Sequence, residues 1–153
     1  MWQRHQHSQC IKEALSKAEQ ICIDHQCRLT PIRKKVLELI WKSHKPIKAY
    51  DLLAQLSSED FIEKPPTVYR ALEFLIDNNL IHRIESQNAY IGCNINHETL
   101  DSKFLICDQC NEVEELSEPK INKTLSEISK KQGFIPSLVN VEIHGTCSQC
   151  AQH

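Results

Sequence analysis

KPPTVYRALEFLIDNNLIHRIESQNAYIGC, residues Lys64 to Cys93, carries a helix and a hairpin in one continuous stretch. Pro65-Pro66-Thr67 reads as a helix start, because proline suits the first helical turn, where its missing N–H has no partner to lose. Val68, Ala71, Leu72, Leu75 and Ile76 then fall on a single face at helical spacing. Asn78-Asn79 can stop the helix by taking the left-handed conformation. Two alternating segments, Leu80 to Glu85 and Ala89 to Cys93, follow around Ser86-Gln87-Asn88 and read as a β-hairpin.

Upstream, Ile11, Leu15, Ala18 and Cys22 recur at helical spacing and predict an amphipathic helix to about Gln26. Thr30 can cap a second helix and Pro31 suits its first position, with Ile32, Val36, Leu37 and Ile40 on its inner face to about Ser43. Pro46 separates a third, short helix through Ala49, Leu52, Leu53 and Leu56. Three or four short helices followed by a hairpin form a winged helix-turn-helix pattern. Downstream the pattern changes: a strand at Phe104–Cys107, a strand at Glu112–Leu116, a helix after Pro119 closed by Gly133, and an alternating strand at Leu138–Ile143. The expected fold class is therefore α+β. A winged-helix DNA-binding domain is placed at residues 1–93, with 1–10 flexible, a hinge at 94–102, and a small α/β domain at 103–153.

A length of 153 residues permits one or two small domains and excludes a large multidomain enzyme. At 41% hydrophobic and 25% charged, the chain has enough apolar material to fold. No apolar run approaches the roughly 20 residues needed to cross a bilayer, and MWQRHQHSQC has no apolar signal region, so a cytoplasmic protein without a membrane partner is expected. With 3 glycines and no phosphate-loop or G-x-S-x-G pattern, nucleotide enzymes and serine hydrolases drop out, and no small-molecule substrate is expected. The net charge of −2 hides an asymmetry: residues 1–85 carry 13 Lys+Arg against 11 Asp+Glu, residues 86–153 only 5 against 9. Only local fields steer a polyanion, so the basic half can meet nucleic acid while the acidic half serves dimer contacts or cation binding.

Eight cysteines in a reducing compartment point to metal or thiol chemistry rather than a disulfide framework. Cys107-Asp-Gln-Cys110 and Cys147-Ser-Gln-Cys150 are two C-x-x-C turns, and two such turns complete a closed tetrahedral Cys₄ zinc site. The 36 residues between the pairs exceed the usual ribbon spacing but contain the strand, helix and strand that return the chain. A redox C-x-x-C is the alternative; it normally sits at a helix start, and these pairs are loop-like. If Gln87-Asn88 forms a two-residue turn, His82 lies directly opposite Cys93, close enough for one metal to take both. Further ligands can come from the segment holding His97 and Asp101, and from Glu115. On a helical wheel centred on Val68, Arg70 of Thr67-Val68-Tyr69-Arg70 points away from the core, toward the side a recognition helix turns to the major groove. His5, His7 and Cys10 could also bind metal but are expected to bind nothing specific, and Cys22 and Cys27 are expected to be packing or helix-end residues.

Arg28-Leu-Thr-Pro-Ile-Arg33, Ala49-Tyr-Asp-Leu-Leu53, Lys64-Pro-Pro-Thr-Val-Tyr-Arg-Ala-Leu72 and Phe104-Leu-Ile-Cys-Asp-Gln-Cys110 resemble the ferric uptake regulator superfamily, over about Ala18 to Cys150. Iron-type members usually carry an H-H-x-H stretch before the first C-x-x-C. Here Asn94-Ile-Asn-His-Glu-Thr-Leu keeps one histidine, and the Cys93 thiolate suits the softer zinc, so the likeness is greatest to the zinc-responsive branch. The resemblance implies a structural zinc at Cys107, Cys110, Cys147 and Cys150 and a sensor zinc at His82, Cys93, a histidine and Glu115, two zinc ions per subunit. Leu100 stands where the family usually places that histidine; His97 is the preferred third ligand and Asp101 the alternative. It further implies base contacts at Tyr50 and Arg70, beside Thr67 and Tyr69, and a non-enzymatic, homodimeric, zinc-dependent repressor of zinc-uptake genes on a palindromic DNA operator. An iron- or peroxide-responsive relative of the same fold, or a thiol redox protein, are the competing readings.

Overall fold

A computed structural model describes residues 7–61, 63–94 and 101–152. Four helices open the chain: α1 (His7–Asp24), α2 (Pro31–Trp41), α3 (Ala49–Ser58) and α4 (Pro65–Asp77). Each boundary has a local cause. α1 ends where Gln26 takes φ 54° and the Cys27 N–H reaches back to the Cys22 carbonyl at 2.9 Å, closing the orphaned carbonyls of the last turn. α2 starts on Thr30, whose hydroxyl accepts from the Arg33 N–H at 3.5 Å, with Pro31 in its first turn. α4 starts on two prolines and ends at Asn79, φ 55°, as the Asn-Asn pair predicts.

α2 packs against α1, α3 and α4. Val36, Leu37, Leu52, Leu56, Val68, Leu72 and Leu75 are buried among these helices. Each such side chain contributes about 1.5–3 kcal/mol by leaving water, which is what makes short helices stable here. The hairpin β1 (Ile81–Ile84) and β2 (Ala89–Gly92) follows, and Ile47 adds an isolated antiparallel bridge to Tyr90. Gly92 is dictated by packing: a Cβ there would overlap the Trp41 indole.

The second half forms a three-stranded sheet in the order β4-β3-β5, from β3 (Ser102–Cys107), β4 (Val113–Glu115) and β5 (Asn140–Gly145). β3 pairs antiparallel with β4 and parallel with β5, and the crossover between the parallel strands carries α5 (Pro119–Lys131). No residue of α5 is buried, and Ile128, Phe134, Ile135 and Leu138 stand exposed. The halves meet where Ile84 and Ile91 of the wing join Phe104, Ile106 and Val113 in a second apolar cluster. Beside it the Val113 N–H donates to the His44 carbonyl at 3.2 Å.

Four sequence expectations are corrected. α1 begins at His7, inside the stretch expected to be flexible, and Cys10 packs partly buried against the helical core. β5 is shifted to Asn140–Gly145, because its register with β3 runs from Ser102↔Asn140 to Cys107↔Gly145. In the hairpin His82 faces Ile91, not Cys93. The turn spans four residues, Glu85 to Asn88, with Asn88 at φ 47°, so the register differs by two from that of a two-residue turn. A shift of two preserves the face, and Cys93 remains a diagonal neighbour on the side of His82. β3 also starts at Ser102, the last residue of the expected hinge.

Candidate metal centres

The parallel pairing of β3 with β5 explains how two cysteine pairs separated by 36 residues meet. Cys107 lies opposite Gly145, so both chains leave the sheet at the same edge and each makes its C-x-x-C turn there. The Asp108 N–H donates to the Gly145 carbonyl at 2.8 Å, and Asn111, φ 60°, turns the first knuckle back so that the Cys107 N–H reaches Glu112 O at 3.0 Å. The thiols of Cys107, Cys110, Cys147 and Cys150 lie within 4.8 Å of one another. Cys110 Sγ is 3.9 Å from Cys147 Sγ. A tetrahedral zinc with Zn–S bonds of about 2.3 Å separates its sulfurs by about 3.8 Å, so the set fits the ion. Backbone N–H groups of Cys110 and Cys147 pull the Cys107 thiol down to about 6. Hydrogen bonding to Cys147, with burial, pushes Cys150 up to about 12. Four thiols crowded around one point cannot ionise together without a cation, and one has become the preferred thiolate.

The second cluster spans the halves. His82 of β1 and Cys93, just past β2, belong to the wing, and Glu115 ends β4; their ligand atoms also lie within 4.8 Å of one another. His82 Nε2 is 2.8 Å from Glu115 Oε1, and both side chains are nearly buried. Burial opposes charge on His82, but the hydrogen bonds to Cys93 and Glu115 outweigh it and raise the imidazole to about 9. The thiol of Cys93 and the carboxylate of Glu115 thus favour positive charge at this point. Cys93 is held by its N–H to the Leu80 carbonyl at 3.1 Å, and Glu115 Oε2 accepts from the Asn94 N–H at 3.2 Å. Ser102 Oγ lies 3.2 Å from His82 Nδ1 and orients the ring; the Phe104 ring meets its edge at 5.4 Å. Sulfur, nitrogen and oxygen donors suit a borderline-soft ion such as zinc. His97 lies outside the described residues. Asp101 is described and does not join the cluster. Ser102 and Asn94 were not found from sequence, where a serine or asparagine at a strand end carries no metal signal.

On the opposite surface Val68, Ala71, Leu72 and Leu75 turn inward, leaving Tyr69 and Arg70 exposed on α4 and Thr67 half-buried at its first turn. Tyr50, on the first turn of α3, is 80% exposed. An aromatic residue that keeps most of its surface exposed on folding contributes little to the core and is available to a partner.

A winged helix meeting a small sheet at a cluster able to hold a metal, with a cysteine knuckle at the sheet's edge, fits a metal-responsive regulator, and the chain belongs to the ferric uptake regulator family, whose profile matches residues 24–144. Within it the chain is 38% identical to the zinc uptake regulation protein of Escherichia coli (strain K12) over 142 residues, covering 92% of this chain and 83% of that protein. It superposes on the solved structure of a zinc uptake regulator complexed with zinc and DNA with a TM-score of 0.87 at 38% identity, over 93% of this chain and 95% of that one. Another relative, XcZur, is matched in two forms: holo with a TM-score of 0.83 (39% identity, 91% and 97% covered) and apo with 0.53 (38%, 92% and 97%). Coverage and identity hardly differ between the two forms, so the drop reflects arrangement, and this chain has the arrangement of the holo form.

Proposed function

We propose that the chain is a zinc-responsive, DNA-binding transcriptional repressor of zinc-uptake genes, acting as a homodimer on a palindromic operator. The observation that carries this reading is the His82–Cys93–Glu115 cluster, whose ligands come from both sides of the junction between wing and sheet. A zinc ion bound there supplies a cross-link, and these residues fix the recognition helix relative to the second half. His97 is the fourth ligand in this reading. Cys107, Cys110, Cys147 and Cys150 hold a second, structural zinc, giving two per subunit.

The domains are a winged DNA-binding unit at 1–93, a hinge at 94–101 and a dimerisation unit that begins with β3 at Ser102. The uncovered apolar face of α5 and the exposed Phe134, Ile135 and Leu138 support dimerisation there, since exposed apolar clusters of this kind mark protein interfaces. Tyr50, Thr67, Tyr69 and Arg70 form the DNA-reading surface. No helix among the described residues is long and apolar enough to cross a membrane, in keeping with a regulator working in the cytoplasm. The decisive experiment pairs elemental analysis of purified protein with operator binding across a zinc titration: two zinc ions per subunit and binding that saturates with the second are expected. Operator binding that ignores zinc, or responds to iron or manganese instead, overturns the reading.

A further inference from the structure

The wing touches the second half at a point remote from the His82–Cys93–Glu115 cluster. Glu142 projects from β5 toward the hairpin turn, where its Oε1 accepts from the Glu85 N–H at 2.7 Å and from the Ser86 N–H at 3.3 Å; Oε2 also lies 3.3 Å from the Ser86 N–H. The side chain is only 11% exposed, and its own half holds it: His144 Nε2 is 3.5 Å from Oε2, and His144 Nδ1 is 3.2 Å from Asp108 Oδ1, the residue after Cys107. One residue along the turn, Gln87 Nε2 donates to Asn111 Oδ1 at 2.8 Å. The turn is thus gripped by two side chains that flank the cysteine knuckle.

We propose that Glu142 is a positioning residue that latches the wing turn to the second half and, with the sensor cluster, fixes the arrangement competent to bind DNA. The proposal rests on the zinc-regulator reading above. Glu85, the first residue of the turn, is three residues beyond His82 of β1, about 10 Å along an extended chain. The apolar cluster of Ile84, Ile91, Phe104, Ile106 and Val113 already joins the halves but is non-directional, whereas a directed polar attachment at that distance from the sensor cluster fixes their orientation. A carboxylate accepting backbone N–H groups makes charge-assisted bonds, stronger than neutral ones. The latch forms only in the closed arrangement, so by linkage it strengthens zinc binding at a site it does not touch.

The test uses full-length, zinc-replete dimer carrying Glu142→Ala or Glu142→Gln. Sensor-zinc affinity is measured without DNA by chelator competition, and the zinc needed for half-maximal operator binding by titration. Glu142→Ala is expected to weaken sensor-zinc binding and raise the required zinc, each by about tenfold, the scale of losing one or two such hydrogen bonds. Glu142→Gln, isosteric and still an acceptor, is expected to fall between, with the structural zinc and the dimer retained. The isosteric variant carries the test if alanine disturbs folding. Variants that titrate like the parent in both measurements overturn the latch, as does a loss of operator affinity at saturating zinc with unchanged zinc binding, which would place Glu142 on the DNA side. Parent protein that binds operator without zinc overturns instead the reading on which the latch rests, so the two failures are distinguishable.

Discussion

At the scale of single residues, Arg70 and the proposed fourth sensor ligand give the sharpest expectations. Arg70 was legible as outward-facing from periodicity alone, because Val68, Ala71, Leu72 and Leu75 define the inner face of α4 and the structure buries all four. Arg70→Ala should lower operator affinity by about 1–3 kcal/mol per half-site and flatten the preference for operator over random DNA, leaving zinc content unchanged. Unaltered discrimination in a binding assay would remove Arg70 from base reading. For the sensor, Asp101 does not join the described cluster, so Asp101→Ala should shift the zinc titration only slightly. His97→Ala should lower sensor-zinc affinity, because an imidazole completes a set of thiolate, imidazole and carboxylate with a donor that zinc favours. The reverse ranking in a competition titration would make Asp101 the ligand. Glu142 and Ser102 had no such legibility: their partners lie far along the chain, and nothing local marks them.

At the scale of elements, helix starts and stops were readable because each rests on a residue with a fixed conformational preference: Thr30, Pro31, Pro65, Pro66 and Asn79 all act where the sequence places them. The hairpin was readable as a hairpin but not in register. Ser86-Gln87-Asn88 fits turns of several lengths, and the choice falls to tertiary contacts: Glu142 gripping the turn and Ile47 bridging Tyr90. The alternation that identified the strands survived the shift because it has a period of two. β2 is also pinned from below by Trp41 against Gly92. Gly92→Ala should therefore destabilise the winged half by about 1–3 kcal/mol, the usual cost of forcing a methyl group into a packed site, and should disturb Cys93, the next residue. Denaturant unfolding together with sensor-zinc affinity measures both effects; a variant as stable as the parent would show that Trp41 can move aside freely.

For the whole molecule, the two metal clusters predict different failures. If the proposed zinc binds the four cysteines, Cys107→Ser or Cys147→Ser should unfold or monomerise the second half, because a metal held there supplies folding energy to a sheet this small. His82→Ala or Cys93→Ser should leave a folded dimer that keeps one zinc per subunit yet no longer gains DNA affinity with zinc. Sedimentation, metal analysis and operator binding on the four variants separate the outcomes, and a stable, fully metallated dimer of Cys147→Ser would contradict the structural role. The same division sets what was legible at this scale. A polar stretch without periodicity at Asn94 to Ser102 suggests a boundary between two units, whereas the mutual placement of the elements on either side depends on the cluster of Ile84, Ile91, Phe104, Ile106 and Val113, which no periodicity reveals.

The parallel alignment of β3 with β5 also imposes an order in time. Cys110 leaves the ribosome with 36 residues still to follow before Cys147, a delay of roughly 2 to 7 seconds at ordinary synthesis rates. Through that interval the first knuckle is a two-thiolate half-site, open to any soft ion or oxidant within reach. Only when β5 slides into register beside β3 does the second pair arrive at the same edge and shut the tetrahedron. The proposed four-cysteine site therefore cannot be complete until β5 has been made.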